Sequence, residues 1–407
     1  MGDTELPRGS RTALGVVEGD LTAKGSVRIY ASAGTTVKVT GEVRFDGNAT
    51  IECGLECASL EIEDGDLRVM GPLIVHGTLD AEESRVEVDG PLEASAVDVD
   101  RLLRVAGNLK AARVDVGGEL RVEHDLTAES VSVGGRMEVS GLLESRTLEV
   151  GGSAKAGTVH LSSLETGGTA EVGDGWIRER IEVGGAFRTR GALEFGSLSV
   201  GGTVELGPGS KGGSIEVGGS VVALGALEFE SIEVGGVIEL RGSARGQSVE
   251  VGGKLWVAEA LALAGKMEVG GTVEIRGDLT AGDLEIGGTF SANSAILTGN
   301  AEIGGTLRTV RGFKSRQIEL GRKATVTGPL VAERIELGRK SNAEDLYGGV
   351  VEVDERCVVR RVYGTRVSMD DGCVAESVQY TDDLRVGRDL VLRSPAQKVA
   401  TLPPAPL

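Results

Sequence analysis

Apolar and polar residues alternate along most of the chain, in short runs that recur at a fixed distance. In the repeat that begins at Val249, the apolar pairs are Val249 and Val251, Leu255 and Val257, and Leu261 and Leu263. Alternation with a period of two is the pattern of a β-strand, and no segment shows sustained helical spacing. The sequence therefore predicts three short strands, separated by corners, in each repeat.

A Gly-Gly pair marks each repeat and follows a Val-x-Val-like triplet. The first glycines of the pairs are Gly117, Gly134, Gly151, Gly167, Gly184, Gly201, Gly218, Gly235, Gly252, Gly270, Gly287 and Gly304. The steps are all 17 residues except one of 16 and one of 18, and Gly-Arg replaces Gly-Gly at Gly321 and Gly338. Because glycine accepts a positive φ without steric cost, we expect the pairs to mark sharp corners at positive φ.

Three strands in 17 residues cannot form hairpins, because the next repeat begins in the same orientation. Each strand must then pair in parallel with its counterpart one repeat away, which coils the chain around an apolar interior. The predicted fold is all-β, a single-stranded parallel β-helix with three short strands per turn. At about 4.7–4.9 Å per stacked turn, some twenty turns would make a rod on the order of 100 Å long.

The predicted organisation is one β-helix domain between two tails. The β-helix covers residues 14–393, with irregular turns to about residue 96, regular turns over 97–340, an insertion at 341–349 and final turns over 350–393. Residues 1–13 and the proline-containing residues 394–407 are expected to be disordered tails.

Some phrases of the sequence resemble a known family. Gly-Asp-Leu-Thr-Ala at Gly19 and Gly277, Gly-Thr-Leu-Asp-Ala at Gly77 and Gly-Pro-Leu-Glu-Ala at Gly90 are similar to the Gly-x-Leu/Ile-x-Ala beat of the bactofilins. These are polymer-forming cytoskeletal proteins, and the resemblance covers roughly Gly15 to Leu392. It implies a right-handed β-helix that polymerises end to end without nucleotide, often at a membrane. The chain would be an unusually long member, and no catalytic residue is implied.

Composition and charge narrow the classes of function. The chain has 64 Gly, 40% hydrophobic residues and only 3% aromatic residues, which fits a narrow core of Val, Ile, Leu and Ala. A formal net charge of -19 works against general binding to nucleic acid or anionic lipid. With no signal-like or membrane-spanning apolar segment, the expected location is the cytoplasm. The resemblance adds the inner face of the membrane as an alternative.

The middle residue of the Val-x-Val triplet points outward in the predicted fold and is usually glutamate. We name this column the acidic ladder, and its predicted members are Glu216, Glu233, Glu250, Glu268, Glu285, Glu302, Glu319 and Glu336. Stacking in register would place these like charges about 4.7–4.9 Å apart, where they repel. The ladder is either a solvated face that keeps rods from sticking together, or a surface that binds divalent cations or a basic partner.

Positive charge concentrates between Thr306 and Arg366, where 13 Lys and Arg oppose 8 Asp and Glu. We name this region the basic patch, and its main members are Arg308, Arg311, Lys314, Arg316, Arg322, Lys323, Arg339 and Lys340. It is either a charge-balanced surface or a contact site for an acidic surface. The acidic ladder of another copy and an anionic membrane are both candidates for that surface.

The sequence predicts no enzyme, no cofactor and no catalytic or metal site. His76, His124 and His160 are scattered and lack a partnered nucleophile, and no phosphate loop or zinc spacing is present. Among the four cysteines, Cys357 and Cys373 fall in matching contexts. They are expected to stack on adjacent turns as buried, reduced thiols.

The predicted function is a structural scaffold that assembles, end to end, into nucleotide-independent filaments. A solenoid ends in unpaired strand edges, which template further pairing unless they are capped. The candidate interface residues are Val16, Val17, Leu390, Val391 and Leu392. The expected partners are other copies of the chain, with cytoskeletal or membrane-associated proteins as further candidates and no nucleic acid. The alternative is a monomeric β-helical rod that binds partner proteins.

Overall fold

The computed structural model describes residues 2–407, and over this range it contains strands and turns but no helix. Strands pair in parallel with their counterparts in neighbouring turns, at about 17 residues per turn. The fold is therefore an all-β parallel β-solenoid, which confirms the predicted fold class. The chain divides into two compact units, one that ends at Gly201 and one from Gly202 to Leu407.

Over residues 2–201, the first unit contains 25 strands, β1 to β25. Their bounds are Thr4–Leu6, Arg11–Leu14, Val16–Val17, Leu21–Lys24, Val27–Ala31, Thr36–Val39, Glu42–Asp46, Ala49–Ile51, Gly54–Cys57, Ser59–Glu63, Asp66–Val69, Leu73–Glu82, Arg85–Val88, Leu92–Val99, Leu102–Val105, Leu109–Lys110, Arg113–Val116, Glu119–Val122, Leu126–Thr127, Ser130–Val133, Arg136–Val150, Ser153–Thr166, Thr169–Val183, Ala186–Thr189 and Leu193–Val200.

The second unit contains strands β26 to β48. Their bounds are Thr203–Leu206, Ser210–Val217, Ser220–Ala223, Leu227–Glu228, Ser231–Val234, Val237–Leu240, Ala244–Gly246, Ser248–Val251, Lys254–Val257, Leu261–Leu263, Met267–Val269, Thr272–Ala281, Leu284–Ile286, Thr289–Leu297, Asn300–Ile303, Thr306–Leu320, Thr325–Thr327, Leu330–Leu337, Asn342–Val353, Val358–Met369, Val374–Val386, Val391–Leu392 and Gln397–Lys398.

Each turn has three sides, which we name faces A, B and C in chain order. In one turn of the second unit, Ser248–Val251 forms face A, Lys254–Val257 face B and Leu261–Leu263 face C. The alternate residues expected inside are at most 5% exposed, namely Val249, Val251, Leu255, Val257, Leu261 and Leu263. The prediction of three strands per turn is confirmed, and burial of each such side chain contributes about 1.5–3 kcal/mol.

The first unit repeats this plan, for example with Arg113–Val116 on face A, Glu119–Val122 on face B and Leu126–Thr127 on face C. Each residue lies opposite the equivalent residue of the next turn, as Val114 opposite Val131. Equivalent side chains therefore stack in columns, and the apolar columns fill the interior of each unit.

The Gly-Gly pairs form the corner between faces A and B, but the expected positive φ is wrong. Gly118 and Gly253 have φ outside the left-handed region, unlike Gly19 at 120°. A Cβ on Gly118 would lie 2.0 Å from the carbonyl O of Arg101, and a Cβ on Gly253 would lie 2.3 Å from that of Gly236. Glycine is required because the neighbouring turn comes too close to admit a side chain.

From Gly321 onward, the same corner has a different backbone. Lys323, Lys340 and Arg356 adopt left-handed φ values of 61°, 60° and 59°. Their amides donate to carbonyls of the next turn, as from Lys323 to Arg339 at 2.9 Å. We name this the charged corner, and it comprises Arg322 and Lys323, Arg339 and Lys340, Glu355 and Arg356, Asp371 and Gly372, and Arg388 and Asp389.

The structure differs from the prediction of an insertion at residues 341–349. Asn342–Val353 is a single strand that pairs in register on both sides. Leu346 lies opposite Leu330 in the preceding turn and opposite Val362 in the following one. The segment is an ordinary turn, and it looked like an interruption because the next corner, Glu355-Arg356, no longer has a glycine.

The structure also differs from the prediction of disordered residues at the start of the chain. Thr4–Leu6 pairs with the strand Leu21–Lys24, and Arg11–Leu14 pairs with Val27–Ala31. Met1 lies outside the described residues. These strands form a first turn, although their side chains alternate too weakly between apolar and polar to be recognised from the sequence.

The last predicted tail, residues 394–407, is partly ordered against the second unit. Gln397 and Lys398 pair with Gln379 and Tyr380 on face C. Further on, the Nζ of Lys314 donates a hydrogen bond of 3.5 Å to the carbonyl O of Leu407. The chain after β48 therefore returns along the side of the second unit instead of extending away from it.

Candidate assembly surfaces

The acidic ladder is an unbroken column on face A of the second unit. From Glu216 to Glu352, nine glutamates stack one per turn, each opposite the next. The predicted members all belong to it, and Glu352 extends it. In the first unit, Glu149, Glu165 and Glu182 form a shorter column. Like charges at this spacing repel one another, so each carboxylate favours an external cation.

Lysine and arginine side chains of face A neutralise part of the ladder. The Nζ of Lys266 lies 2.8 Å from the carboxylate of Glu268 and 2.7 Å from that of Glu285. Hydrogen bonds to both carboxylates raise the pKa of Lys266. In the same way, Arg334 bridges Glu336 of its own turn and Glu352 of the next turn, and its Nη2 lies 2.7 Å from the carboxylate of Glu352.

Other members of the ladder carry no such counterion. Over residues 2–407, no ion pair reaches Glu216, Glu233 or Glu250, and all three side chains are exposed. Over the same range, no group of three or more His, Cys, Asp and Glu residues is placed to hold a metal ion. The ladder thus presents its carboxylates singly, one on each turn.

The basic patch is spread over several columns of the second unit. Arg308 lies on face B and Lys314 on face C, whereas Arg322 and Lys323 lie on the charged corner. Arg311 is 3.9 Å from the carboxylate of Asp278. Arg316 is hydrogen-bonded to the side chain of Asn300 at 3.4 Å. The prediction of one basic surface is therefore too broad.

Five exposed cations of this patch do converge, on three consecutive turns of the charged corner. They are Arg322, Lys323, Arg339, Lys340 and Arg356. Arg339 lies 3.3 Å from Asp354 and 3.6 Å from Glu355. In the part of the chain that the structure describes, Lys323, Lys340 and Arg356 have no ion pair. The part of the charged corner from Arg322 to Arg356 thus carries mostly cations.

Two further arginines of the region are tied to a buried carboxylate. Asp345 is 4% exposed, and its carboxylate accepts hydrogen bonds from Arg360 at 2.6 Å and from Arg361 at 2.8 Å. Burial works to raise the pKa of Asp345, but the hydrogen bonds from Arg361 and Arg360 outweigh it and hold the pKa below its ordinary value. This cluster stabilises the turn and leaves neither guanidinium free for a partner.

Val16 and Val17 lie on the first turn of the first unit. Val16 is 68% exposed, whereas Val17 is 7% exposed. Their strand pairs with Thr36–Val39, and the strands Thr4–Leu6 and Arg11–Leu14 likewise pair with one neighbouring turn each. Among the described residues, the other edge of these three strands has no partner.

Leu390, Val391 and Leu392 lie on the last turn of the second unit. Val391–Leu392 pairs with β46 alone among the described strands. Val391 is 54% exposed and Val386, on face A of the same turn, is 55% exposed. The residues that the sequence assigned to the two ends are therefore on terminal strands or, for Leu390, directly before one, and Val16 and Val391 are exposed there.

A groove in the first unit was not predicted from the sequence. Its floor includes Ala111, Ala128 and Ser145, and its volume is about 620 Å³. His160 forms part of the lining and stacks on Trp176 with ring centroids 4.9 Å apart. The offset of 16 residues between these rings, about one turn, was the available signal.

All four cysteines are free and buried, as was expected for Cys357 and Cys373. The Sγ of Cys357 donates to the carbonyl O of Gly338 at 3.1 Å, and that of Cys373 donates to the carbonyl O of Asp354 at 3.0 Å. A hydrogen bond to Cys373 and burial raise the pKa of Cys357. Burial raises the pKa of Cys57 to about 12. These thiols act as small core residues.

The comparisons with known proteins identify no family, so only the fold indicates the class of this protein. No protein-family model, curated protein or solved structure shows a significant match. Among residues 2–407, no helix is long and apolar enough to cross a membrane. The fold and its surfaces define a parallel β-solenoid protein whose distinctive features are an acidic ladder, a charged corner and open terminal strands.

Proposed function

We propose that the chain is a structural scaffold of the bactofilin type, with right-handed winding, that assembles end to end into nucleotide-independent filaments. The observation that carries the proposal is the state of the terminal turns. The first turn of the first unit and the last turn of the second unit each have strand edges without a partner among the described residues.

Unpaired strand edges favour association because their N–H and C=O groups gain hydrogen bonds when another strand is added. The strand pairings that the structure describes are parallel, including those of the first and last turns. The last turn of one copy can therefore continue as the first turn of the next without any change in strand direction. Val16 and Val391 are more than half exposed, and removing such side chains from water would add to the association.

The final residues of the chain do not occupy the terminal edge. A Cβ built on Gly312 would lie 2.7 Å from the Cδ1 of Leu407, which places Leu407 beside an earlier turn. This position supports assembly through the last turn, since the returning segment lies along the side of the second unit.

The proposed partners follow from the same surfaces. Other copies of the chain are the principal partner, with cytoskeletal or membrane-associated proteins as further candidates in the cytoplasm or at the inner face of the membrane. The net charge of -19 disfavours nucleic acid. The proposal needs no cofactor and assigns no catalytic residue.

Electron microscopy of the purified chain without nucleotide tests the proposal. We expect filaments for the unmodified protein, and short particles for Val16→Asp and Val391→Asp, because each substitution places a charge at a joining edge. Val237→Asp is the matched control, since Val237 is an exposed valine of an inner turn, 44% exposed. Filaments that persist in both end variants would contradict assembly through these ends.

A monomeric rod that binds partner proteins is the second candidate, and the groove beside His160 and Trp176 favours it. Stacked rings beside a floor of small side chains offer a surface for another molecule. The same microscopy experiment is repeated at several salt concentrations. Discrete particles at every concentration would support the monomeric rod and would count against filaments.

A further inference from the structure

We propose that two copies of the chain also associate side by side, with the charged corner of one copy bound to the acidic ladder of the other. The cations are Lys323, Lys340 and Arg356, and the carboxylates are those of Glu216, Glu233 and Glu250. This contact uses a different surface from the terminal strands, so it does not depend on the end-to-end assembly proposed above.

The column of cations and the column of carboxylates have the same spacing. The three cations occupy equivalent positions of successive turns, since the amide of Lys323 donates to the next turn at Arg339 and that of Lys340 donates to Glu355. Glu216, Glu233 and Glu250 also occupy successive turns, in register. Each column therefore advances by one strand spacing, about 4.8 Å. Two such columns can pair without accumulating a mismatch.

Both columns lack counterions within their own copy. Over the described residues, none of the three cations and none of the three carboxylates has an ion pair, and all six side chains are exposed. Lys266 and Arg334 neutralise other members of the ladder. Glu216 to Glu250 is therefore the longest run of unpaired ladder carboxylates that the structure describes in the second unit.

Both columns lie in the second unit. Glu336 lies on the face A strand that directly precedes Lys340. Along the acidic ladder, Glu336 is six turns away from Glu233. In an antiparallel pair of copies related by a two-fold axis, the charged corner of each copy faces the acidic ladder of the other. Both contacts then form at once, as an isologous interface requires.

The side-by-side contact consists of exposed ion pairs, and this limits its strength. Exposed ion pairs contribute little individually, and they weaken when salt shortens the distance over which charges interact. Side-by-side association is therefore weak, depends on all three pairs together and is lost at high ionic strength.

Two charge-reversed variants test the proposal. The first carries Lys323→Glu, Lys340→Glu and Arg356→Glu, and the second carries Glu216→Lys, Glu233→Lys and Glu250→Lys. An acidic residue is compatible with the left-handed corner, since Asp389 occupies the equivalent position at φ 58°. Circular dichroism first verifies that each variant is folded. Sedimentation equilibrium at about 0.02 M and about 0.5 M salt then measures association, and electron microscopy measures filament width.

At low salt, we expect paired copies of the unmodified chain, at least tenfold weaker association of either variant alone, and restored pairing in an equimolar mixture of the two. The control variant Lys24→Glu, Lys110→Glu and Lys254→Glu has the same change in net charge at other exposed sites and should pair normally. Undiminished pairing of either variant, or failure of the mixture to restore it, would overturn the proposal. Filament length reports the terminal strands and filament width reports this contact, so the two proposals can fail separately.

Discussion

The corner between faces A and B is built in two ways in this molecule. At the Gly-Gly pairs, the carbonyl of the neighbouring turn lies where a side chain would begin, as at Gly253 and Gly236. At the charged corner, Lys323 and Lys340 take a left-handed conformation and their long side chains are exposed. Close stacking of the turns therefore excludes side chains from the Gly-Gly corner, whereas a left-handed φ allows the charged corner to carry charged side chains.

The interior adapts to the second type of corner. The column behind the charged corner holds Ala324, Ser341, Cys357 and Cys373, all of them buried. The Oγ of Ser341 accepts a hydrogen bond of 2.9 Å from the amide of Ala324, and it donates to the carbonyl O of Gly321 at 3.2 Å. Small polar or sulfur-containing side chains satisfy backbone groups that the altered turn would otherwise leave unpaired.

The largest expected effect concerns the buried carboxylate of the turns with the charged corner. We expect Asp345→Asn to lower the free energy of unfolding by about 2–3 kcal/mol, because Arg360 and Arg361 lose their counterion in a partly buried site. Chemical denaturation measures the change. Asp383→Asn is the matched control, since its partner Arg385 is exposed, and its effect should stay below about 1 kcal/mol.

The pH dependence of stability gives an independent test of the same carboxylate. The pKa of Asp345 is lowered in the folded chain, so its stabilising effect is fully present above the unfolded value of about 3.9. It is lost as the pH falls through the lower folded value. The Asp345→Asn variant should lack this part of the acid sensitivity, and an unchanged acid profile would contradict the role given to Asp345.

A smaller effect is expected from a side chain at a Gly-Gly corner. In Gly253→Ala, the new Cβ would lie 2.3 Å from the carbonyl O of Gly236, so the two turns must move apart. We expect the free energy of unfolding to fall by about 1–3 kcal/mol, as for other overpacked sites. The measurement is chemical denaturation followed by circular dichroism, and an unchanged midpoint would refute the steric reason given for glycine.

The smallest effect is expected from the converse change at the charged corner. Lys340 already has a φ of 60°, which glycine adopts more easily, but glycine also loses more freedom on folding. We expect Lys340→Gly to change the free energy of unfolding by less than about 1 kcal/mol. A large loss of stability, measured in the same way, would show that the lysine side chain itself holds this corner.

The sequence was sufficient to predict the columns but not the contacts between neighbouring turns. Val249, Leu255 and Leu261 were assigned to the interior correctly, because a period of two within a near-constant repeat leaves one consistent register. The acidic ladder followed from the same repeat. The reason for glycine at Gly253 could not be predicted from the repeat, because the carbonyl that excludes a side chain belongs to another turn.

The side-chain clusters of the final turns also could not be predicted from the sequence. The corner glycine itself is absent from the next corner after Gly338, so the spacing no longer marks the turns there, and residues 341–349 resembled an insertion. The hydrogen bonds that join Asp345 to Arg360 and Arg361 depend on a corner conformation and on rotamers that no repeat specifies. The charged corner itself was visible only as an excess of Lys and Arg.

The residue-by-residue register of the turns has a consequence for how such a chain can evolve. Each turn is matched to its immediate neighbours, as Val249 is to Ile232 and Met267, and no pairing specifies how many turns follow. Duplication or loss of one whole repeat would keep every column in phase, whereas a partial repeat would bring polar residues into the interior. The length of the protein is thus a variable that genetic duplication can change in whole repeats without redesign of the fold.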